Sequence, residues 1–201
     1  MANYKLFLQY EGTRYQGWQR QSSTGNTIQG RLEALLEKMC GNPIQIHGSG
    51  RTDAGVHALA QVANVHMSTD LSCGGILEYM NRYLPEDIAV LSVEEVPERF
   101  HSRLNAKGKT YRYTVVASNL PHVFLRNYSH MVSEKLDVGA MRQAASLLCG
   151  TRDFKAFTSA RRGKKSTVRT LEAIDIEQKE DVLTFTFRGD GFLYHMVRIL
   201  M

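Results

Sequence analysis

Apolar and polar residues alternate from Tyr4 to Tyr10, which predicts a strand. The period then changes. Ile28, Leu32, Leu35, Leu36 and Met39 recur at helical spacing between Thr27 and Cys40, and Gly41-Asn42-Pro43 stops that helix. Strand-like runs follow at Ile44 to His47 and at Ala58 to Met67. A second helical pattern, with Leu77, Met80 and Leu84 on one face, runs from Leu71 to Leu84 and breaks at Pro85. Ile88 to Val96 reads as another strand. The first half therefore predicts a βαββαβ order, an α+β sandwich with helices on one sheet face.

The second half is looser. Lys109 to Val116 alternates cleanly, with Tyr111, Tyr113 and Val115 on one face and Thr110, Arg112 and Thr114 on the other. A short strand is expected near Tyr128 to Val132. Asp137 is placed to cap a helix whose Met141, Ala144, Ala145 and Leu148 face the core, ended by Gly150. Ser166 to Ile176 and Val182 to Phe187 read as two strands around the charged turn Gln178 to Asp181. Phe192 to Met201 has helical character. It stops on Leu200-Met201 without a cap, which leads us to expect that the natural chain continues. The boundary near Arg99 to Ala106 divides the chain into an N-terminal α/β subdomain of residues 1–105 and a C-terminal α/β subdomain of residues 106–201.

Composition narrows the function classes. Three distant cysteines and scattered histidines offer neither a disulfide framework nor a sequence-local metal site. No run approaches the roughly 18 apolar residues of a membrane span. The first residues have no signal-peptide core, so a cytoplasmic protein is expected. The net charge of +5 leans towards a polyanionic partner. Its distribution says more: Lys107, Lys109 and Arg112 gather in one segment, and Arg161, Arg162, Lys164, Lys165 and Arg169 in another.

The stretch from Gly48 to Ala58 carries the candidate chemistry. Three glycines, Gly48, Gly50 and Gly55, flank Arg51 and Asp53 between two strands. Such a bend is ordinary turn chemistry, and it is also where a rigid scaffold presents a catalytic group. A phosphate-cradling loop is the poorer reading, because a dinucleotide fingerprint needs glycine where Asp53 stands and a helix where a strand follows. Trp18, in the loop Tyr15-Gln-Gly-Trp18-Gln-Arg20, suits either base stacking or the edge of a core.

Four segments in order, Gly50-Arg-Thr-Asp-Ala-Gly-Val-His-Ala58, Arg99-Phe-His-Ser-Arg-Leu-Asn-Ala106, Lys109-Thr-Tyr-Arg-Tyr113 and Gly191-Phe-Leu-Tyr-His-Met-Val-Arg198, closely resemble the bacterial tRNA pseudouridine synthase A family. Tyr15-Gln-Gly-Trp18, Thr27-Ile-Gln29 and Asp153-Phe-x-x-Phe157 fit as well. The resemblance implies the α+β pseudouridine synthase fold. That is two ferredoxin-like βαββαβ-type halves forming one extended, mainly antiparallel sheet, with helices on one face and a central RNA-binding cleft. It implies conversion of uridine to pseudouridine at positions 38, 39 and 40 of the tRNA anticodon stem-loop, by a homodimer, with no redox cofactor, metal or ATP.

By resemblance Asp53 is the essential carboxylate. The residues leave open whether it attacks C1′, adds to C6 or takes a ribose proton. Arg198 is implied as its ion-pair partner, Arg51 as the residue that enters the RNA stack when the target nucleotide leaves, and Tyr111 as the ring that stacks on uracil and takes part in proton loss. Leu193 is implied to line the uracil pocket. Arg14, Arg20, Lys107, Lys109, Arg161, Arg162, Lys164 and Lys165 are candidate phosphate contacts. His57 and His195 are assigned no chemistry. The competing reading is a non-catalytic, basic RNA-binding module of the same fold.

Overall fold

The computed structural model describes residues 1–160 and 166–201. The chain forms two compact units, Met1–Ala106 and Lys107–Met201.

The first unit follows the βαββαβ order: β1 (Ala2–Tyr10), α1 (Ile28–Cys40), β2 (Ile46–Gly48), β3 (Ala58–Met67), α2 (Cys73–Tyr83) and β4 (Ile88–Val96). Its four strands pair in the order β2-β3-β1-β4, every pair antiparallel. Alternation along β1 sends Tyr4, Leu6, Leu8 and Tyr10 into the core, where Ile28, Leu32, Leu35 and Leu36 of α1 and Ile76 and Met80 of α2 meet them. The helix ends are set locally. Thr27 Oγ1 accepts the Gly30 N–H at 3.1 Å, and the N–H of Gly41, at φ +70°, closes the other end on Glu37 O. Ser72 caps α2 in the same way.

Polar ties fix the edge strand and the far sheet face. Glu33, buried on α1, accepts the Ile46 N–H at 3.0 Å, and Gln29 donates to Ile46 O at 3.1 Å, so β2 hangs from the helix. On the face away from the helices lie Asn3 and Asn64, both fully buried. Asn3 Nδ2 donates to the carbonyls of Pro97, Glu98 and Phe100. Asn64 accepts the Ser102 N–H at 2.9 Å and donates to Asn3 Oδ1. Ser102 Oγ donates to His47 O at 2.6 Å. The segment after β4 is thus fastened back across the sheet.

His47 lies against His101, ring centroids 4.9 Å apart. Burial, then His101 and His66, holds His47 below its ordinary pKa of 6.5, while Glu33 opposes the shift. A depressed histidine takes up its proton more readily in the unfolded chain, so its contribution to stability is lost as pH falls below about 6.5. His47→Gln is therefore expected to lose less melting temperature than the parent between pH 7.5 and pH 5.5. Thermal melts at the two pH values measure this, and equal losses in both proteins would refute it.

The second unit contains β5 (Lys109–Ala117), β6 (His130–Val132), α3 (Val138–Leu148), β7 (Gly150–Asp153), β8 (Val168–Lys179), β9 (Val182–Gly189) and α4 (Met196–Leu200), with single 3₁₀ turns at Val123–Leu125 and Lys155–Phe157. The sheet order is β6-β5-β9-β8-β7, antiparallel except for the parallel β5–β6 pair. Val115, Leu183, Phe185 and Phe187 form the core beneath α3, and Phe154, Leu171 and Met196 form a smaller one.

The α+β class is as expected, with three differences in detail. The strands pair as two sheets, one per unit, instead of one continuous sheet. The second unit adds two short strands to the plain βαββαβ pattern, β6 and β7, one at each edge of its sheet. Last, α4 is only five residues long: His195 takes a left-handed φ of +60° and stops the helix from starting earlier.

Candidate active site

The loop between β2 and β3 carries Asp53, half-buried, and Arg51, exposed. It is braced at the backbone almost residue by residue. Ser49 N–H donates to Val62 O at 2.8 Å, and Gln61 Nε2 donates to Gly50 O at 2.9 Å. Trp18 N–H donates to Thr52 O at 3.0 Å, and Thr52 Oγ1 shares a 2.9 Å hydrogen bond with the Tyr10 hydroxyl. Val56 N–H returns to Asp53 O at 3.2 Å, closing a turn in which Gly55 has φ +76°. Asp53 is therefore held by ties on both sides of it in the chain.

The brace comes from the loop between β1 and α1. Gly17, at φ +87°, lies so close that a Cβ there would sit 2.6 Å from Thr52 O. Gly48 allows the Trp18 indole to come within 2.6 Å of the place where its own Cβ would be. Trp18 is 2% exposed and packs on Tyr10, ring centroids 6.1 Å apart. Of its two sequence-level roles, the structure shows the core one. His57 Nδ1 accepts the Gly12 N–H at 3.0 Å, which gives that ring a structural task. This brace was not visible in the sequence. It joins residues such as Gly17 and Thr52 that are distant along the chain, and no local pattern reports such a contact.

The other candidates of the first unit are Arg14 and Arg20. The Arg14 guanidinium lies 2.6 Å from the buried Asp87 carboxylate, which also accepts the Tyr15 hydroxyl at 2.6 Å. Burial would raise the Asp87 pKa, but Tyr15 and Arg14 outweigh it and hold the group below its ordinary value. Burial and the same carboxylate push the Tyr15 hydroxyl up to about 12. Arg20 lies 3.1 Å from Glu33, the buried carboxylate that suspends β2. Both arginines keep their heads largely in solvent, yet each first neutralises a buried carboxylate of its own unit.

In the second unit, alternation along β5 turns Tyr111 to the face shared with Tyr113 and Val115, opposite Phe187 of β9. Its ring meets Phe192 edge-on at 4.9 Å. Leu193 follows and packs on the Phe154–Leu171–Met196 cluster. Arg198 is exposed on α4. His195 Nδ1 is 2.6 Å from Ser159 Oγ, and its ring stacks on Tyr194. Lys109 opens β5 opposite Gly189, and Lys107 is exposed just before it. Arg161, Arg162, Lys164 and Lys165 lie outside the described residues. Within this unit Tyr111, Phe192 and Leu193 thus adjoin one hydrophobic region, while Asp53 and Arg51 belong to the other unit. Phe192 is a pocket-wall candidate that the sequence reading left unmarked. Among the described residues no group of three His, Cys, Asp or Glu is placed to hold a metal, and no helix is long and apolar enough to cross a membrane.

The sequence profile of the family described as tRNA pseudouridine synthase matches residues 6–105 and 144–201, so both units are included and the chain belongs to that family of isomerases. More narrowly, the chain is 50% identical over 198 residues to tRNA pseudouridine synthase A of Bacillus sp. (strain KSM-64), covering 98% of this chain and 81% of that protein. It is 46% identical over 198 residues to tRNA pseudouridine synthase A 2 of Bacillus cereus (strain ATCC 14579), with the same coverage. It is 44% identical over 200 residues to tRNA pseudouridine synthase A 1 of Clostridium tetani, covering 100% of this chain and 82% of that protein.

Proposed function

We propose that this protein converts uridine to pseudouridine at positions 38, 39 and 40 of the tRNA anticodon stem-loop, with Asp53 as the essential carboxylate. The observation that carries the reading is Asp53 itself, held by backbone ties in a strand-to-strand loop inside the stretch that matches the family. The reaction breaks the N1–C1′ bond, turns the uracil and joins C5 to C1′. The C5 proton leaves and N1 gains one, so the sum is an isomerisation. An ionised carboxylate serves each of the routes open to Asp53: attack at C1′, addition to C6, or removal of a ribose proton.

The remaining roles follow the chemistry of the side chains. Arg198 serves as the ion-pair partner of Asp53. Tyr111 stacks on the uracil against the Phe192 wall, and its hydroxyl serves in the loss of the C5 proton. Leu193 lines the uracil pocket. Arg51, exposed at the loop, stacks in the space vacated by the flipped nucleotide. Arg14, Arg20, Lys107, Lys109, Arg161, Arg162, Lys164 and Lys165 contact tRNA phosphates. The protein works as a homodimer in the cytoplasm, where its substrate tRNA is found.

Incubating the purified protein with unmodified tRNA and mapping pseudouridine by chemical labelling and primer extension tests this. Product at one or more of positions 38, 39 and 40, lost when that uridine is replaced by cytidine, is the expected result. Product elsewhere refutes the assigned site, and tRNA binding without product favours the non-catalytic reading.

A further inference from the structure

Beyond the candidates above, we infer that the pinned segment Arg99–Asn105 is an RNA-backbone docking platform beside the Asp53 loop, with Arg99 and Arg103 as its phosphate contacts. This rests on the tRNA reading and adds residues to it.

The first observation is how firmly the segment is held. Three consecutive-region carbonyls, those of Pro97, Glu98 and Phe100, converge on one buried amide, Asn3 Nδ2, at 2.8 to 3.3 Å. Ser102, 2% exposed, is tied to Asn64 through its N–H and to His47 O through its hydroxyl. Asn105 Oδ1 accepts the His101 N–H at 2.8 Å, and Asn105 N–H donates to His101 O at 2.9 Å. The segment is thus irregular backbone locked to a sheet as tightly as a strand would be.

The second observation is what the locked backbone displays. Arg99 and Arg103 are both exposed, and among the described residues neither has a carboxylate within 4.0 Å. Arg14 and Arg20, by contrast, are committed to buried partners. The carboxylate just before the segment, Glu98, is turned to His66 at 3.2 Å. Two unpaired guanidiniums on a rigid backbone suit a polyanion, because little further ordering is needed when a phosphate is bound.

The third is placement. Ser102 grips His47 O on β2, and β2 ends at Gly48, directly before the Asp53 loop. A strand of RNA contacted at Arg99 and Arg103 is therefore held within the same unit as the proposed nucleophile, next to the edge strand that leads into its loop. The contact is to backbone, not to base edges, so it positions the substrate and carries no sequence information.

The test is the salt dependence of tRNA binding by the double variant Arg99→Gln/Arg103→Gln, with Arg126→Gln as an exposed-arginine control. Loss of two phosphate contacts is expected to lower the slope of log Kd against log salt by roughly 1.4 to 1.8, and to weaken binding roughly 25- to 60-fold at 0.1 M salt. The maximal single-turnover rate should stay within about twofold, the melting temperature should be unchanged, and Arg99→Lys/Arg103→Lys should keep the parent slope. An unchanged slope in the Gln double variant, or a loss matched by Arg126→Gln, overturns the platform and leaves the enzyme reading standing. A parent protein that binds no tRNA overturns both.

Discussion

Asp53→Asn is expected to abolish pseudouridine formation, with a fall in rate of at least about 10³-fold, the scale seen when a group acting on the reacting atoms is removed. The amide has the size of the carboxylate but neither its charge nor its basicity, so every route open to Asp53 fails together. Binding should survive. Asp53 is a half-buried loop residue, and the ties that hold its loop run through the backbone and through Tyr10, Thr52 and Gln61, all of which the substitution leaves in place. The measurement is pseudouridine formed under single turnover, alongside tRNA affinity and a thermal melt. Normal product from the Asn variant would remove Asp53 from the chemistry. An equal collapse of melting temperature would make the residue structural.

Gly17→Ala is the second large effect. Two costs arise at one position. The backbone is left-handed at φ +87°, which an alanine adopts only at a cost of about 1–2 kcal/mol. The new methyl also meets Thr52 O, the carbonyl that accepts the Trp18 N–H, at 2.6 Å. That contact must be relieved by shifting Thr52, and Asp53 is the next residue. A displacement near 1 Å at a reacting group costs on the order of 10²-fold in rate.

Gly41→Ala separates the two costs. Gly41 is also left-handed, at φ +70°, but nothing lies within 4 Å of the place where its Cβ would be. Gly41→Ala should lose stability and keep its turnover at saturating tRNA, whereas Gly17→Ala should lose both. Turnover that is equal in the two variants would show that the brace does not position Asp53.

The first unit was largely legible because its rules are local. Thr27 and Gly41 mark the ends of α1, Pro85 follows α2 closely, and β1 keeps a period of two from Tyr4 to Tyr10. The second unit hid its features where local rules are silent. β7 (Gly150–Asp153) is exposed at every residue, so it shows no alternation to read. The short α4 turns on a single left-handed histidine. At the candidate site, Asp53 and Tyr111 were marked by their types and motifs. The Gly17–Thr52 approach, the Arg20–Glu33 pair that serves β2, and the Asn3–Asn64 clamp were not. Each joins residues remote in sequence, and a buried Asn on an otherwise polar strand face looks like any solvated one until its partners are known.

That clamp has a consequence for how the chain is made. β1 is the first strand synthesised and adjoins neither of its partners in the chain: it pairs with β3 and β4, and Asn3 reaches carbonyls 94 to 97 residues further on. β1 can pair with β3 earlier, but the Asn3 side chain must wait for its partners until Phe100 has emerged. Contacts of such long sequence separation fold slowly, while the β8–β9 hairpin closes on its neighbour at once. During synthesis the N-terminal unit is complete only when the segment at Phe100 has emerged, and the Asn3 contacts mark its completion.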